Sequence, residues 1–256
     1  MTRIMKAPRI SWFHLLLSLG CGFWAASLAA QTAPPLTGDA IATSSGEVII
    51  HPLNHATLML GWNGKIICCD PTRAAADAGL SKADLVLVTH AHGDHFNPAA
   101  IEAVCGANAL ILAPQAVFNG LTARQKGQAA VLPNGGVTNV LGLKVEAVPA
   151  YNRFHPKGAG NGYVLTLGGK RFYLSGDTGA TPEMRQLSGI DVAFLCMNQP
   201  YTMTVDEALA AVAAFRPKIV YPYHYRDQGG STANAAQFKE RLDPALGIEV
   251  RLRKWY

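Results

Sequence analysis

The sequence predicts a layered α/β protein organised on two β-sheets, and three observations carry that prediction. Hydrophobic residues make up 49% of the chain and charged ones only 15%, with 25 glycines, a balance that suits a compact layered core and excludes a disordered or coiled-coil chain. Strand-like and helix-like segments alternate between residues 84 and 126, the pattern of a sheet covered by helices. Strands cluster a second time after residue 129, as two packed sheets require. At 256 residues the chain can bury a full core in one large domain or two small ones.

The chain opens with the basic residues Arg3, Lys6 and Arg9 and an apolar stretch from Ile10 to Leu28. Small residues, Ser27-Leu28-Ala29-Ala30, then precede Gln31. These are the three zones of a secretory signal peptide, so residues 1–30 are expected to be removed and the protein to be periplasmic or secreted, with no stable membrane insertion afterwards. Lipidation at Cys21 is disfavoured, because Ser18 stands where a leucine is usual. Most of the formal charge of +5 belongs to this segment. The remainder is nearly balanced and holds no basic tract suited to nucleic acid, which leaves a small molecule as the expected partner. Residues 31–46, rich in Pro, Thr, Ser, Gly and Ala, read as a flexible arm. The folded domain is placed at 47–256.

Within it, 48–50, 57–60 and 65–69 are short strand-like runs, the last two joined by Asn63-Gly64, a strong hairpin signal. Asp70-Pro71 stops the third run and leaves a carboxylate at its end. The strand 84–89 leads into a histidine-rich turn, and Asn97-Pro98 has the form of a cap opening a helix over 99–104. A strand at 110–113 and a helical stretch over 115–126 follow. Strands at 129–132, 143–148, 162–167 and 170–174 then form a meander with Gly168-Gly169 as a tight turn, ending in Ser175-Gly176-Asp177-Thr178. Thr181-Pro182 opens a helix, 191–196 is a strand, and 205–215 has helical spacing with Thr204 as its cap. A strand at 218–222 leads to His224, and a helix over 234–242 and a strand over 248–252 complete the chain. Cys68, Cys69, Cys105 and Cys196 show no disulfide framework; free buried thiols are expected, since neighbours in a strand point to opposite faces.

His90-Ala91-His92-Gly93-Asp94-His95 gathers three imidazoles and a carboxylate within six residues. A buried strand delivers them to a turn, and these are the donors that zinc and its neighbours prefer in catalytic sites. His155, Asp177 and His224 stand at later strand ends, where one edge of a sheet core can gather them. Asp70 is expected to accept a hydrogen bond that orients a ligand or the loop. His51 and His55 read as ordinary core or surface histidines, His55 being the better candidate to line a site. Tyr151, Phe154, Tyr201, Tyr223 and Tyr225 flank the proposed site in sequence, where packing explains them as well as a substrate wall does.

The order of these pieces, T-H-A-H-G-D-H-F, then S-G-D-T, then Y-P-Y-H-Y, resembles the metallo-β-lactamase superfamily over roughly residues 47–256. His55-Ala56-Thr57, Asp70-Pro71, Gly176-Asp177-Thr178 and Pro222-Tyr223-His224 resemble most the branch of L-ascorbate-6-phosphate lactonase and N-acylphosphatidylethanolamine phospholipase D. The resemblance implies a four-layer αββα sandwich with its site at the edge between the sheets. It implies two zinc ions, with manganese or iron as alternatives: His90 and His92 on the first, Asp94, His95 and His224 on the second, Asp177 bridging. It also implies a metal-bound hydroxide attacking an ester, a lactone or a phosphodiester, with Asp94 and Asp177 as the catalytic carboxylates. A β-lactamase-type amide hydrolase and a metal-binding protein of reduced activity are the alternatives. One position departs from the pattern: the place where relatives carry the third ligand of the first metal holds Asn152, with His155 three residues later. Either His155 reaches that metal or Asn152 serves as an oxygen ligand, and imidazole is the better donor for zinc.

Overall fold

The computed structural model describes residues 35–256, so the expected signal peptide lies outside the described residues. The first sheet takes its strands in chain order: β1 (Asp39–Thr43), β2 (Gly46–Asn54), β3 (Thr57–Trp62), β4 (Lys65–Cys69), β5 (Ala83–Leu87), β6 (Cys105–Ala113) and β7 (Ala129–Val131). The second sheet does the same with β8 (Val137–Val140), β9 (Leu143–Ala150), β10 (Gly160–Leu167), β11 (Lys170–Leu174), β12 (Val192–Cys196), β13 (Ile219–Tyr223) and β14 (Glu249–Val250). In each sheet the strands pair antiparallel as far as β4 or β11 and parallel from there on. Parallel pairs need crossovers, which α1 (Arg73–Asp77), α2 (Pro98–Val104), α3 (Gln115–Gly120) and α4 (Ala123–Lys126) supply to the first sheet. α5 (Pro182–Arg185), α6 (Val205–Phe215) and α7 (Ala233–Arg241) supply them to the second. The two halves follow one plan, a repeat of structure that is not visible as a repeat of sequence.

Side-chain alternation builds the layers. Leu58 and Leu60 of β3, Ile67 and Cys69 of β4, and Leu85 and Leu87 of β5 point into one core shared with the second sheet. Met59, Cys68 and Val86, one residue out of step, point into another core under Ile101, Val104 and Val117 of the helices. Val212, Phe215 and Phe238 cover the far side of the second sheet. This is the expected αββα sandwich, and its central strands read as continuous apolar runs because both their faces are buried. Cys68, Cys69, Cys105 and Cys196 are free thiols.

Turn and cap chemistry account for most element boundaries. Asn63-Gly64 and Gly168-Gly169 both take the left-handed conformations of tight hairpins. The β8–β9 hairpin does so with Leu141-Gly142, and a leucine at φ 52° is a turn that composition does not signal. The Asn97 and Thr181 side chains cap α2 and α5, and Thr204 forms a reciprocal capping box with Glu207 on α6. Four expectations are corrected. Residues 39–43, read as part of a flexible arm, form β1, because they pair antiparallel with β2 along five positions, and Ser44 docks the hairpin tip on the Gly168 carbonyl through its N–H (3.0 Å) and its hydroxyl (2.8 Å). The helix over 115–126 divides in two, because Thr122 opens a second capping box with Gln125. The strand into the histidine turn is assigned only to Leu87, although the Val88 N–H still bonds Leu112. The last strand shrinks to Glu249–Val250.

At the opposite end of the second sheet from the histidines, Asp191 ties three strands together. Its carboxylate accepts the Arg171 N–H (2.9 Å) and the amines of Lys218 (2.8 Å) and Lys170 (3.2 Å). Burial would raise this carboxyl, but the Lys218 and Arg171 hydrogen bonds outweigh it and hold it below its ordinary value. Replacing Asp191 with alanine is expected to cost about 1–3 kcal/mol in urea denaturation at neutral pH. A group whose folded pKa is depressed stabilises above its unfolded value and ceases to do so as pH falls through the folded one. The gap between wild type and Asp191→Ala should therefore narrow as pH is lowered below about 4, which denaturation series at several pH values would check.

Candidate metal centre

Every histidine and carboxylate of the centre except His155 lies just past the C-terminal end of a strand or in the turn that follows it, the edge at which ligands gather in open α/β sheets. Asp70 ends β4, the His90–His95 turn follows β5, Asp177 follows β11 and His224 follows β13. The turn itself is closed by hydrogen bonds from the His95 and Phe96 N–H groups to the His92 carbonyl (3.0 and 2.8 Å).

Asp70 anchors that turn from below. Its Oδ1 accepts the Thr89 N–H (2.7 Å), and its Oδ2 accepts the Thr89 hydroxyl (2.8 Å) and faces His95 Nδ1 at 2.7 Å. A carboxylate on the far nitrogen fixes the tautomer of His95 and turns Nε2 toward the centre, the usual support of a metal-binding imidazole. Burial works against a charged His95, yet the Asp177 and Asp70 carboxylates outweigh it and raise its pKa well above the ordinary histidine value.

Asp177 is placed by a turn that admits only glycine. A Cβ on Gly176, at φ +60°, would lie 2.9 Å from the Asn161 carbonyl oxygen and 3.0 Å from Thr89 Cβ. The Gly176 N–H donates to the Tyr223 hydroxyl (2.9 Å), so Tyr223, 1% exposed, holds the turn and cannot reach a substrate. The two oxygens of Asp177 face different imidazoles. Oδ1 lies 3.2 Å from His95 Nε2 and 3.4 Å from His224 Nε2, while Oδ2 lies 3.7 Å from His155 Nε2 and 3.9 Å from His90 Nε2. Burial raises this carboxyl, but His224 and His95 hold it well below the usual carboxylate range.

Hydrogen bonding sets Asn152 and His155 apart. Asn152 Oδ1 accepts the N–H groups of Phe154 (2.8 Å) and His155 (3.1 Å) and faces His155 Nδ1 at 2.9 Å. Its amide donates to the Tyr201 carbonyl (2.9 Å). Asn152 is thus consumed in shaping the loop, and it aims His155 Nε2 at His92 Nδ1, 3.2 Å away. Burial pushes the rings of His155 and His90 below their ordinary value, His90 to about 2.

The donors fit metal ions. His90, His92 and His155 offer ring nitrogens within 4.8 Å of one another, as do the donor atoms of His55, Asp94, His95 and His224, and those of His90, His95 and Asp177. His90 Nε2, His95 Nε2, His224 Nε2 and Asp177 Oδ1 are buried without a hydrogen-bond partner. Such burial is costly unless a cation takes up the lone pairs. Asp94, with half its side chain exposed, lies 3.1 Å from His55 Nε2 and 3.4 Å from His224 Nε2. Burial raises its carboxyl, but the His224 and His55 imidazoles beside it outweigh that and hold it well below the usual carboxylate range.

A cleft above the centre is lined by His92, Asp94, His155, Asn198, Phe154 and Tyr201. Phe154, 42% exposed, and Tyr201 pack at 5.4 Å between ring centroids and form one wall. Tyr151 and Tyr225 turn elsewhere, to Glu183 and to the Arg253 carbonyl. His51 faces the Thr37 carbonyl, remote from the centre, and Cys196 is buried against the Thr178 carbonyl. Sequence reasoning missed Asn198, which follows β12 as His90 follows β5, and Tyr256, whose hydroxyl lies 2.8 Å from His55 Nδ1. The first could have been sought at the end of its strand; nothing in the sequence marks the second.

The sequence pattern of the β-lactamase superfamily domain matches residues 50–224. The chain is 33% identical over 221 residues to a UPF0173 metal-dependent hydrolase of Pelotomaculum thermopropionicum, covering 78% of this chain and 94% of that one. The crystal structure of a putative metal-dependent hydrolase from Parabacteroides distasonis superposes with a TM-score of 0.77 at 40% identity, over 87% of this chain and all of the other. The metallo hydrolase Igni18 of Ignicoccus hospitalis superposes with a TM-score of 0.69 at 26% identity, over 81% of this chain and 95% of that one.

Replacing Asp70 with asparagine keeps its shape but removes the charge that orients His95. Metal affinity measured by chelator competition is expected to fall about 10–100-fold.

Proposed function

The chain belongs to the metallo-β-lactamase superfamily and is a metal-dependent hydrolase, and from that premise we propose that it uses two zinc ions to hydrolyse an ester, a lactone or a phosphodiester after export. One observation carries the two-ion reading: the oxygens of Asp177 face separate imidazole groups, His95 and His224 on one side, His90 and His155 on the other. A carboxylate so placed can bridge. The preponderance of imidazole among the donors favours zinc over magnesium or calcium, and manganese or iron would take the same ligands less selectively.

His90, His92 and His155 would hold the first ion and Asp94, His95 and His224 the second, with Asp177 between them. Bound there, a zinc pair supplies an activated water near neutral pH and a Lewis acid for the oxygen of the scissile carbonyl or phosphoryl group. The protein supplies order. Asp70 and Asn152 fix two of the imidazoles, and the imidazoles beside Asp94 that keep it ionised suit it to bind and orient rather than to deliver a proton. Phe154 and Tyr201 offer an apolar wall on which the non-reacting part of a substrate can lie, and they exclude water from that side. Export is supported by the basic start and apolar stretch of residues 1–30.

Chelator-treated protein is expected to regain turnover with about two equivalents of zinc, as bridged two-ion centres require. It should act on a panel of esters, lactones and phosphodiesters and spare β-lactams; turnover confined to β-lactams would refute the substrate reading. Asp177→Ala should lose more than about 100-fold in turnover, since outer supports alone cost up to that much. Phe154→Ala should raise KM about tenfold for substrates with an apolar acyl group, some 1.4 kcal/mol, and leave kcat nearly unchanged. Steady-state kinetics with acyl chains of graded length would check this.

A further inference from the structure

The second metal position holds more donors than the family order supplies. We propose that His55 is a ligand of the second ion, beside Asp94, His95 and His224, and not a residue that only lines the cleft. This rests on the two-ion reading above.

Three features of His55 point the same way. Its Nε2 lies 3.1 Å from Asp94 Oδ2, and its donor atom belongs to one set with Asp94, His95 and His224, all within 4.8 Å of one another. Donors bonded to one zinc at about 2.0–2.2 Å stand roughly 3.3–3.6 Å apart at tetrahedral angles and roughly 2.8–3.1 Å apart at right angles, as when a fifth donor is added, so the separation lies within the range of neighbouring ligands. Its Nδ1 faces the Tyr256 hydroxyl at 2.8 Å. An Nδ1–H donated to that oxygen leaves Nε2 bare toward the centre, as Asp70 does for His95 and Asn152 for His155. Tyr256 is itself held, because its hydroxyl accepts the Arg226 N–H (3.2 Å) and the Arg226 guanidinium lies 3.7 Å over its ring.

The backbone fixes the ring from both sides. His55 takes φ 58°, a left-handed conformation that a non-glycine residue adopts at some cost. Its N–H donates to the Trp255 carbonyl (2.9 Å) and its carbonyl accepts the His224 N–H (3.1 Å). Two imidazoles on one cation are thus joined through their main chains, and their ring centroids lie only 3.7 Å apart. The rival role is a protonated His55 that donates Nε2–H to Asp94 as an ion pair. The two roles differ in whether Nε2 carries a proton when the centre is loaded.

Nuclear magnetic resonance of isotope-labelled protein loaded with Cd2+ separates them. A scalar coupling between cadmium and the His55 Nε2, assigned by its disappearance in His55→Ala, is expected. A His55 ring that keeps its Nε2 proton and shows no coupling, while His90, His92 and His95 are coupled, overturns the inference and leaves the two-ion reading standing. A protein that takes up no Cd2+ or Zn2+ overturns both. Chelator competition adds a second measure: Tyr256→Phe, which keeps the ring and its packing, should weaken one ion about 10–100-fold and leave the other within twofold. Unchanged affinity for both ions in Tyr256→Phe and in His55→Ala would overturn the inference even if the couplings could not be assigned.

Discussion

The buried carboxylate of Asp70 is the constraint on which the centre depends. It is 1% exposed, accepts the backbone N–H and hydroxyl of Thr89 and meets His95 on its free side. Its own N–H donates to the Leu87 carbonyl (2.9 Å), which extends the β4–β5 pairing past the last ladder residues. Strand pairing, turn shape and imidazole orientation are therefore one linked event. Asp70 occupies φ 46°, His55 58° and His224 45°. Three supports of one centre in the left-handed region is a concentration of backbone strain of the kind found at functional sites, and Asp and His bear it better than branched residues do. Main-chain hydrogen bonds at each of the three hold it in place.

The doubled plan of the fold explains why carboxylates stand where they do. β4 and β11 are equivalent strands, each the last of an antiparallel meander and the first of a parallel set. Asp70 lies just past one and Asp177 just past the other. One half uses its carboxylate indirectly, to aim His95; the other aims its carboxylate straight into the centre. The sandwich brings the two edges together, and His95 lies between the two carboxylates, 2.7 Å from one and 3.2 Å from the other. Electrostatics then favour a set of ionised acids and imidazoles that would repel one another if they were all protonated, and a divalent ion satisfies both.

The layered class, most strands and the histidine turn were legible because each depends on short-range signals. A strand buried on both faces reads as an apolar run, and Asn63-Gly64 or Thr204-Glu207 states its turn or cap in a few residues. What escaped notice depends on contacts distant in sequence. β1 pairs with its neighbour β2, but it looks like a polar arm, and the contact that fastens its hairpin tip, Ser44 on the Gly168 carbonyl, comes from 124 residues away. Leu141 carries a hairpin without the residue types that announce one. At the centre, spacing located the candidate histidines but could not set Asn152 apart from His155, since that depends on which groups saturate the Asn152 oxygen. Tyr256 reaches His55 only because Trp255 is buried in the core beside Phe194 and Tyr223, bringing the tail back to the site edge.

The two flanks of the centre differ in chemistry, and this bears on how a nearly symmetric set of ligands can treat a substrate asymmetrically. Beside His155 lie Phe154 and Tyr201, an apolar wall over the His90, His92 and His155 position. Beside Asp94 lies a more open cleft with His55, Arg73, Asn97, Arg226 and Tyr256 on its walls. An apolar group gains from desolvation on the first side at roughly 25 cal/mol per Å2, and a charged or hydrated group keeps its water on the second. A molecule with unlike ends therefore has one favourable direction across Asp177.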